Sequence, residues 1–139
     1  MTNPGSLLPL CLAAATLAFT GIAGAKIRNP AGQRAAAAGA PVGTAATGMR
    51  LYQSCSGCHS IDQDDVGPRH RGVVGRRAGT VPGYAYSAAL RNSGIVWTPR
   101  LLDRWLSGPQ KLVPGTKMYF SMAKPQDRAD IIAYLATQR

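Results

Sequence analysis

The sequence predicts a small all-α domain of short helices and long loops over residues 48–139. Two later stretches, 101–106 and 131–135, place apolar residues on one helical face. In contrast, residues 60–83 hold seven glycines or prolines and little periodicity. A loop of that length counts against a compact domain unless something other than regular structure packs it. Large aliphatic side chains are also few, so a bound group is expected to complete the core.

Four helices are expected along this domain. The first lies within 48–58, and a brief second one covers 87–93. The third opens with Thr98 as N-cap followed by proline, and it ends at the Ser-Gly-Pro of 107–109. The last begins at Pro125 with an aspartate in its first turn. The apolar stripes of the last two helices are Leu101, Leu102, Trp105 and Leu106, and Ile131, Ile132 and Leu135 with Tyr134 beside them.

The clearest functional signal is the run Cys55-Ser56-Gly57-Cys58-His59. Two cysteines separated by two residues, with a histidine directly after them, form the attachment pattern of haem c. The two thiols can form thioether bonds to the two vinyl groups of a haem, and the adjacent imidazole reaches one face of the iron as proximal ligand. We therefore expect one haem c, bound covalently through Cys55 and Cys58, with His59 as an iron ligand.

Two other kinds of site use cysteines at this spacing. A thioredoxin-like redox pair lies near a βαβ pattern, which the surrounding sequence lacks, and it leaves His59 without a role. A closed zinc site needs about four ligands, and only Cys11 and His70 remain elsewhere in the chain. Both interpretations are weaker than haem attachment. Because Cys11 lies in the apolar leader, no further cysteine pair is available for a disulfide.

The chain is strongly basic, with a net charge of +10 at pH 7. Clustered lysines and arginines can mark a nucleic-acid surface. Here the basic residues are scattered and accompany no nucleic-acid motif, so we expect no nucleic-acid partner. Long-range steering towards an acidic protein or membrane surface is the favoured interpretation of the charge.

Residues 1–25 are expected to be a secretory signal peptide or an uncleaved N-terminal membrane anchor. Residues 7–25 are apolar and end in Ala-Gly-Ala, which resembles a cleavage site. No lysine or arginine precedes this stretch, and its length is about enough to span a bilayer. Residues 26–47 are rich in Ala, Gly and Pro and are expected to form a linker or a simple tail. Export predicts a bacterial periplasmic location, either soluble after cleavage or anchored to the inner membrane.

A haem iron with one histidine ligand needs a second ligand on its other face. Met118 and Met122 lie in the loop before the last helix, and His70 lies in the first long loop. A thioether is a soft, neutral ligand that raises the reduction potential relative to two histidines. Position in the chain alone does not separate Met118 from Met122.

From Gly48 to its end the chain resembles class I cytochrome c of the mitochondrial and bacterial cytochrome c₂ type. The resemblance implies the small cytochrome c fold, in which short helices and long loops wrap one covalently attached haem. It also implies a one-electron carrier rather than an enzyme. The matching stretches, in the family's order and spacing, are CSGCH at 55–59, GP at 67–68, GRRAG at 75–79, PGYAYS at 82–87, GIVW at 94–97, PGTKMYF at 114–120 and RADIIAYL at 128–135.

The resemblance assigns roles to individual residues. The family's PGTKM segment holds the distal ligand, which implies that Met118 and His59 are the two iron ligands. The family's loop proline matches Pro68, whose carbonyl would accept a hydrogen bond from His59 and orient its ring. Gly48 and Tyr134 match the crossing of the first and last helices. The other matching residues border the haem: Arg76, Tyr86 and Trp97 as partners of the buried propionates, and Trp105, Thr116 and Phe120 on the distal side.

Three positions depart from the family pattern. Leu90 stands where the family usually has asparagine, and Trp105 stands where it usually has tyrosine. Both family residues belong to the polar network behind the distal methionine, so we expect hydrogen bonds to be lost there. His70 occupies a position usually held by leucine against the haem, and we expect it to be packed or exposed rather than bound to iron.

The resemblance also implies the partners. A monomer would dock transiently through a partly exposed haem edge, ringed by basic residues that include Lys111 and Lys117, onto acidic surfaces of redox proteins. The implied partners are a cytochrome bc₁-type donor and a terminal oxidase or a reaction centre. Two alternatives stay open: a haem-based peroxidase or ligand sensor with a labile distal methionine, and a tethered interaction module that uses haem only as structural support.

Overall fold

The computed structural model describes residues 40–139, and within that range it forms five α-helices and no strand. An isolated antiparallel bridge joins Arg77 and Val96. The predicted all-α class is confirmed. The helices are α1 (Ala45–Leu51), which continues into a 3₁₀ turn (Tyr52–Ser54), α2 (Ala88–Arg91), α3 (Pro99–Ser107), α4 (Pro109–Leu112) and α5 (Pro125–Thr137).

The crossing of α1 over α5 organises the domain. Gly48 is buried at the crossing, where a Cβ on it would lie 2.8 Å from Tyr134 Cβ and closer still to the carbonyl oxygen of Asp130. A side chain at position 48 would therefore push the two helices apart. The contact between Gly48 and Tyr134 agrees with the one that the resemblance implies.

The first helix begins before Gly48, the residue at which it was expected to start. Helix α1 starts at Ala45, inside the stretch assigned to the linker. The backbone N–H of Thr44 donates to the Asp130 carboxylate at 2.6 Å, and the Gln126 side chain donates to the Val42 carbonyl at 2.9 Å. Because α5 anchors these backbone groups, residues just before Gly48 belong to the folded unit. The leader, 1–25, and the first part of the expected linker, 26–39, lie outside the described residues.

Helices α2 and α3 begin at side-chain caps. Ser87 Oγ accepts the N–H of Leu90 at 3.1 Å, and Thr98 Oγ1 accepts the N–H of Leu101 at 3.2 Å, so each cap satisfies a backbone donor that its helix leaves unpaired. Helix α3 ends at Ser107 as expected, but the one-turn helix α4 directly after it was not expected. Gly108 is extended between the two, and proline at the first position of α4 presets its helical φ.

Helix α5 is tied to the rest of the domain through a buried charge. Arg128 is buried, and its Nε donates to the Asp103 carboxylate of α3 at 2.7 Å. The same guanidinium donates to the carbonyls of Met122 and Ala123 at 3.0 and 2.8 Å. These bonds satisfy a charge that burial would otherwise penalise. They also fix the end of the loop that carries both candidate methionines.

The apolar core is shared between helices and loops. The buried helical side chains come chiefly from α3 and α5, and they confirm the stripes at Leu102, Trp105, Leu106, Ile131, Ile132 and Leu135. The long loop before α2 adds Val73, Ala78, Val81 and Tyr86 to the same core. Within residues 40–139, no helix has the length and apolar character needed to cross a bilayer.

Candidate haem site

The Cys55–His59 segment follows α1 and forms one wall of a cavity of about 250 Å³. The N–H groups of Cys58 and His59 both donate to the carbonyl of Cys55, at 3.1 and 2.9 Å. This tight turn presents both thiols and the imidazole to the same cavity. Within residues 40–139 neither thiol forms a disulfide, and burial raises the pKa of the half-buried Cys55 thiol.

His59 is held by the loop that follows it. Its Nδ1 lies 2.8 Å from the carbonyl oxygen of Pro68, an acceptor only, so Nδ1 carries the donated hydrogen. In the neutral ring Nε2 is then left with its lone pair, which is the form that binds a metal. Burial lowers the pKa of His59, which favours this neutral form, while the bond to Pro68 acts in the opposite direction.

Gly67 leaves no room for a side chain beside that ring. Its N–H donates to the carbonyl of Cys58 at 2.7 Å, which draws the loop against the attachment segment. A Cβ at position 67 would lie 2.6 Å from Nε2 of His59 and closer still to Cε1. The close approach of backbone to imidazole therefore needs glycine at this position.

His70 is packed against the proximal histidine. The rings of His70 and His59 are stacked, with centroids 4.1 Å apart and an interplanar angle of 20°. Nδ1 of His70 lies 2.9 Å from the hydroxyl of Tyr52. Burial, followed by the nearby His59 and Arg76, lowers the pKa of His70 to about 3. Of the two placements expected for His70, packed or exposed, the structure shows the packed one.

The structure distinguishes Met118 from Met122 by their positions relative to the cavity. Met118 lines it together with His59, whereas the residues that line it do not include Met122, whose N–H instead donates to the Leu106 carbonyl at 2.7 Å. The indole Nε1–H of Trp105 donates to the sulfur of Met118 at 3.2 Å. The expectation that position 105 loses its hydrogen bond behind the methionine is therefore wrong, because the indole keeps a donor. The buried Leu90 does replace a polar side chain with an apolar one.

Gln110 fixes the Met118 segment, and sequence reasoning missed it. Its side-chain amide donates to the carbonyls of Thr116 and Met118, at 2.6 and 3.2 Å. Its side-chain oxygen accepts the N–H of Gly115 at 3.3 Å. Three bonds from one side chain hold this turn at its position beside the cavity. The sequence shows only a glutamine eight residues before Met118. Helix α4, which carries this glutamine, brings its side chain into contact with the turn.

The remaining predicted residues lie on the other walls of the same cavity. Arg76 donates to the carbonyls of Arg71 and Arg69 at 2.8 and 2.9 Å, and burial lowers its pKa. The rings of Trp97 and Trp105 meet edge to face at 5.1 Å. All eleven predicted site residues line this cavity: Cys55, Cys58, His59, Pro68, Arg76, Tyr86, Trp97, Trp105, Thr116, Met118 and Phe120.

These residues fit a haem c. The cavity combines two free thiols, an imidazole whose Nδ1 is already bonded, a thioether, and walls formed largely by apolar and aromatic side chains. Arg76 and Tyr86 supply donors suited to buried carboxylates. When bound, haem supplies a one-electron iron couple, and the chain supplies attachment, orientation and enclosure.

Comparisons with known proteins agree with this chemistry. The family model described as Cytochrome c matches residues 45–139. Cytochrome c₂ of Rhodomicrobium vannielii is 46% identical over 106 residues, which cover 73% of this chain and 82% of that protein. Cytochrome c₂ of Rhodopila globiformis is 51% identical over 102 residues, covering 70% and 96%.

Solved structures agree as well. Cytochrome cH from Methylobacterium extorquens has a TM-score of 0.67 and 45% identity, and the alignment covers 68% of this chain and 99% of that one. Ferricytochrome c₂ from Rhodopseudomonas palustris has a TM-score of 0.66 and 36% identity, covering 69% and 99%. With its Cys-x-x-Cys-His segment and the fold that surrounds it, the chain belongs to the cytochrome c family, whose cofactor is covalently attached haem c.

Proposed function

We propose that this c-type electron carrier moves one electron at a time between membrane redox complexes, with His59 and Met118 as iron ligands in both oxidation states. The observation that carries the ligand assignment is the hydrogen bond from Trp105, which holds the Met118 sulfur at the cavity that His59 also lines. A soft thioether opposite an imidazole favours the reduced iron and blocks added ligands.

Protein contacts that do not depend on the iron hold both proposed ligands. Pro68 fixes the edge of His59, while Trp105 and Gln110 fix the sulfur and the backbone of Met118. Donors and acceptors that are already in place need not reorganise when charge changes. This arrangement supports a carrier more than a peroxidase or ligand sensor, which requires a distal ligand that leaves easily.

We propose that docking occurs where the cavity reaches the surface. Three apolar side chains at its mouth are exposed: Val66 at 71%, Tyr119 at 79% and Phe120 at 44%. Lys117 lies between Thr116 and Met118 and also lines the cavity, and Lys111 is exposed on α4. An apolar centre with basic residues around it suits brief encounters with acidic surfaces of a bc₁-type donor, a terminal oxidase or a reaction centre.

Stopped-flow reduction by a quinol–cytochrome c reductase tests this function. We expect reversible reduction of the holoprotein, with a second-order rate constant that falls as salt rises. Lys117→Glu should lower the low-salt rate constant roughly tenfold, because it reverses a charge at the proposed docking edge. Lys124→Glu makes the same change of charge at the start of α5, outside the cavity lining, and should have a smaller effect. Equal effects of the two variants would rule out this docking face, and a protein that the reductase does not reduce would support the interaction-module alternative.

We propose export to the bacterial periplasm, since the haem motif is attached outside the cytoplasm and residues 1–25 resemble an export signal. Membrane fractionation followed by N-terminal sequencing of the haem-stained band tests both the location and the form. A soluble periplasmic protein that begins near Lys26 would be a shuttle. A membrane-bound protein that retains residues 7–25 would be a tethered carrier. A haem protein found in the cytoplasm would contradict export.

A further inference from the structure

We propose that His70, held in place by Tyr52, is a positioning residue that fixes the plane of the His59 imidazole at the iron. The stacking of His70 on His59 and its hydrogen bond to Tyr52 carry the proposal. It rests on the proposed ligation of the iron by His59, and it assigns a role to the residue that departs most clearly from the family pattern.

The bond from His59 to Pro68 leaves the plane of the ring underdetermined. A carbonyl oxygen accepts hydrogen bonds over a broad range of directions, so the Pro68 contact anchors one edge of the imidazole and tolerates tilting. The torsion between Cβ and the histidine ring is itself broad, without three sharp wells. The backbone of Gly67 also lies close to the ring, and a flat partner against the ring face adds the contact that selects one orientation.

His70 supplies that contact through its flat face. With centroids 4.1 Å apart and planes within 20°, the two rings are in van der Waals contact over their faces. Turning the His59 ring about its Cβ–Cγ bond would drive one of its edges into His70. A leucine at position 70 would present a rounded surface against which a tilted imidazole still packs.

Tyr52 fixes His70 in turn. The phenol hydroxyl and Nδ1 of His70 are 2.9 Å apart, and the two rings meet edge to face at 5.7 Å. Tyr52 is buried, and its ring packs on Tyr134 of α5 with centroids 5.3 Å apart. The orientation of His59 is thereby connected to the crossing of α1 and α5, where Gly48 packs closely on Tyr134.

Tyr52 and His70 also satisfy each other's hydrogen-bonding groups. The hydroxyl of the buried Tyr52 and the half-buried imidazole of His70 are largely withdrawn from water, and each is the hydrogen-bond partner of the other. The backbone around His70 is held as well, because its N–H donates to Ser60 and its carbonyl accepts from Val73, both at 2.9 Å. The position of the ring is therefore set at both its backbone and its tip.

Proton NMR of the oxidised, full-length holoprotein tests the proposal. The shifts of the four haem methyl groups follow the orientation of the axial imidazole plane, because that plane directs the unpaired spin density. We expect His70→Leu to change the spread of the four shifts, and Tyr52→Phe to change it in the same direction by less. The double variant should match His70→Leu, because Tyr52 acts through His70.

Tyr134→Phe is the matched control. It removes a hydroxyl from the ring that packs on Tyr52 and leaves the bond between Tyr52 and His70 in place, so the methyl pattern should match wild type. Unchanged methyl shifts in both His70→Leu and Tyr52→Phe would overturn the proposal. If His70→Leu fails to fold, Tyr52→Phe alone decides between the outcomes. Absence of hyperfine-shifted His59 ring protons in wild type would instead contradict the ligation of iron by His59.

Discussion

Met118→Ala is expected to abolish the weak near-infrared band that the oxidised protein shows when a thioether binds iron. The substitution removes the sulfur that Trp105 holds at the cavity, and alanine has no atom that can replace it. Loss of a soft ligand also lowers the reduction potential. Added imidazole no longer competes with a bound ligand, so its affinity should rise roughly tenfold or more, which corresponds to at least about 1.4 kcal/mol.

Met122→Ala is the control for this experiment. Met122 lies four positions further along the chain, and the residues that line the cavity do not include it. Its backbone bond to Leu106 survives the substitution, so the near-infrared band and the potential should stay close to wild type. Persistence of the band in Met118→Ala, together with its loss in Met122→Ala, would transfer the ligand role to Met122. Persistence in both variants would point to a ligand other than either methionine.

Gly67→Ala is expected to lower the yield of haem-bearing protein and the stability of what forms. The new Cβ would lie 2.6 Å from Nε2 of His59, so either the ring or the 60–83 loop must move. Overpacking of this kind commonly costs about 1–3 kcal/mol. Movement of the ring would also weaken the bond to Pro68. Haem staining, the low-spin visible spectrum and denaturant unfolding of the holoprotein report the three effects.

Gly57→Ala makes the same chemical change within the attachment segment. Among residues 40–139 no atom lies within 4 Å of a Cβ at position 57, so this variant should attach haem and unfold much as wild type does. The comparison separates contact with His59 from a general effect of losing glycine. Equal stability and equal spectra for the two variants would show that the backbone at position 67 relaxes without disturbing the ring.

Much of the fold could be predicted from local signals. The helices α3 and α5 follow from apolar residues at helical spacing, and the cap at Thr98 from a hydroxyl placed before proline. Helix α1 begins three residues before Gly48, in a stretch whose backbone groups bond to Asp130 and Gln126 of α5, and no local pattern predicts those bonds. Helix α4 was missed because a four-residue helix has too few positions to show a period.

The site divides in a similar way. The attachment chemistry depends on neighbours in the chain, so Cys55, Cys58 and His59 are recognisable from their spacing alone. Met118 and Met122 could not be separated by position, and their difference appears only where the loop turns one of them towards the cavity. The hydrogen bond from Trp105 to Met118 could not be predicted, because the residue type gives the indole N–H as a donor but does not give its direction.

The sequence by itself determined the cofactor chemistry and the helices, because each depends on residue types at short, regular spacings. It indicated the electron-carrier family through a resemblance that runs from Gly48 to the end of the chain. The tertiary structure alone decided how the two candidate ligands are held. Gln110 is hydrogen-bonded to the Met118 turn. Tyr52 bonds to His70, 18 positions further along the chain, and His70 stacks on His59. Contacts between residues distant in the chain depend on the path of the long loops, and a local pattern carries little information about that path.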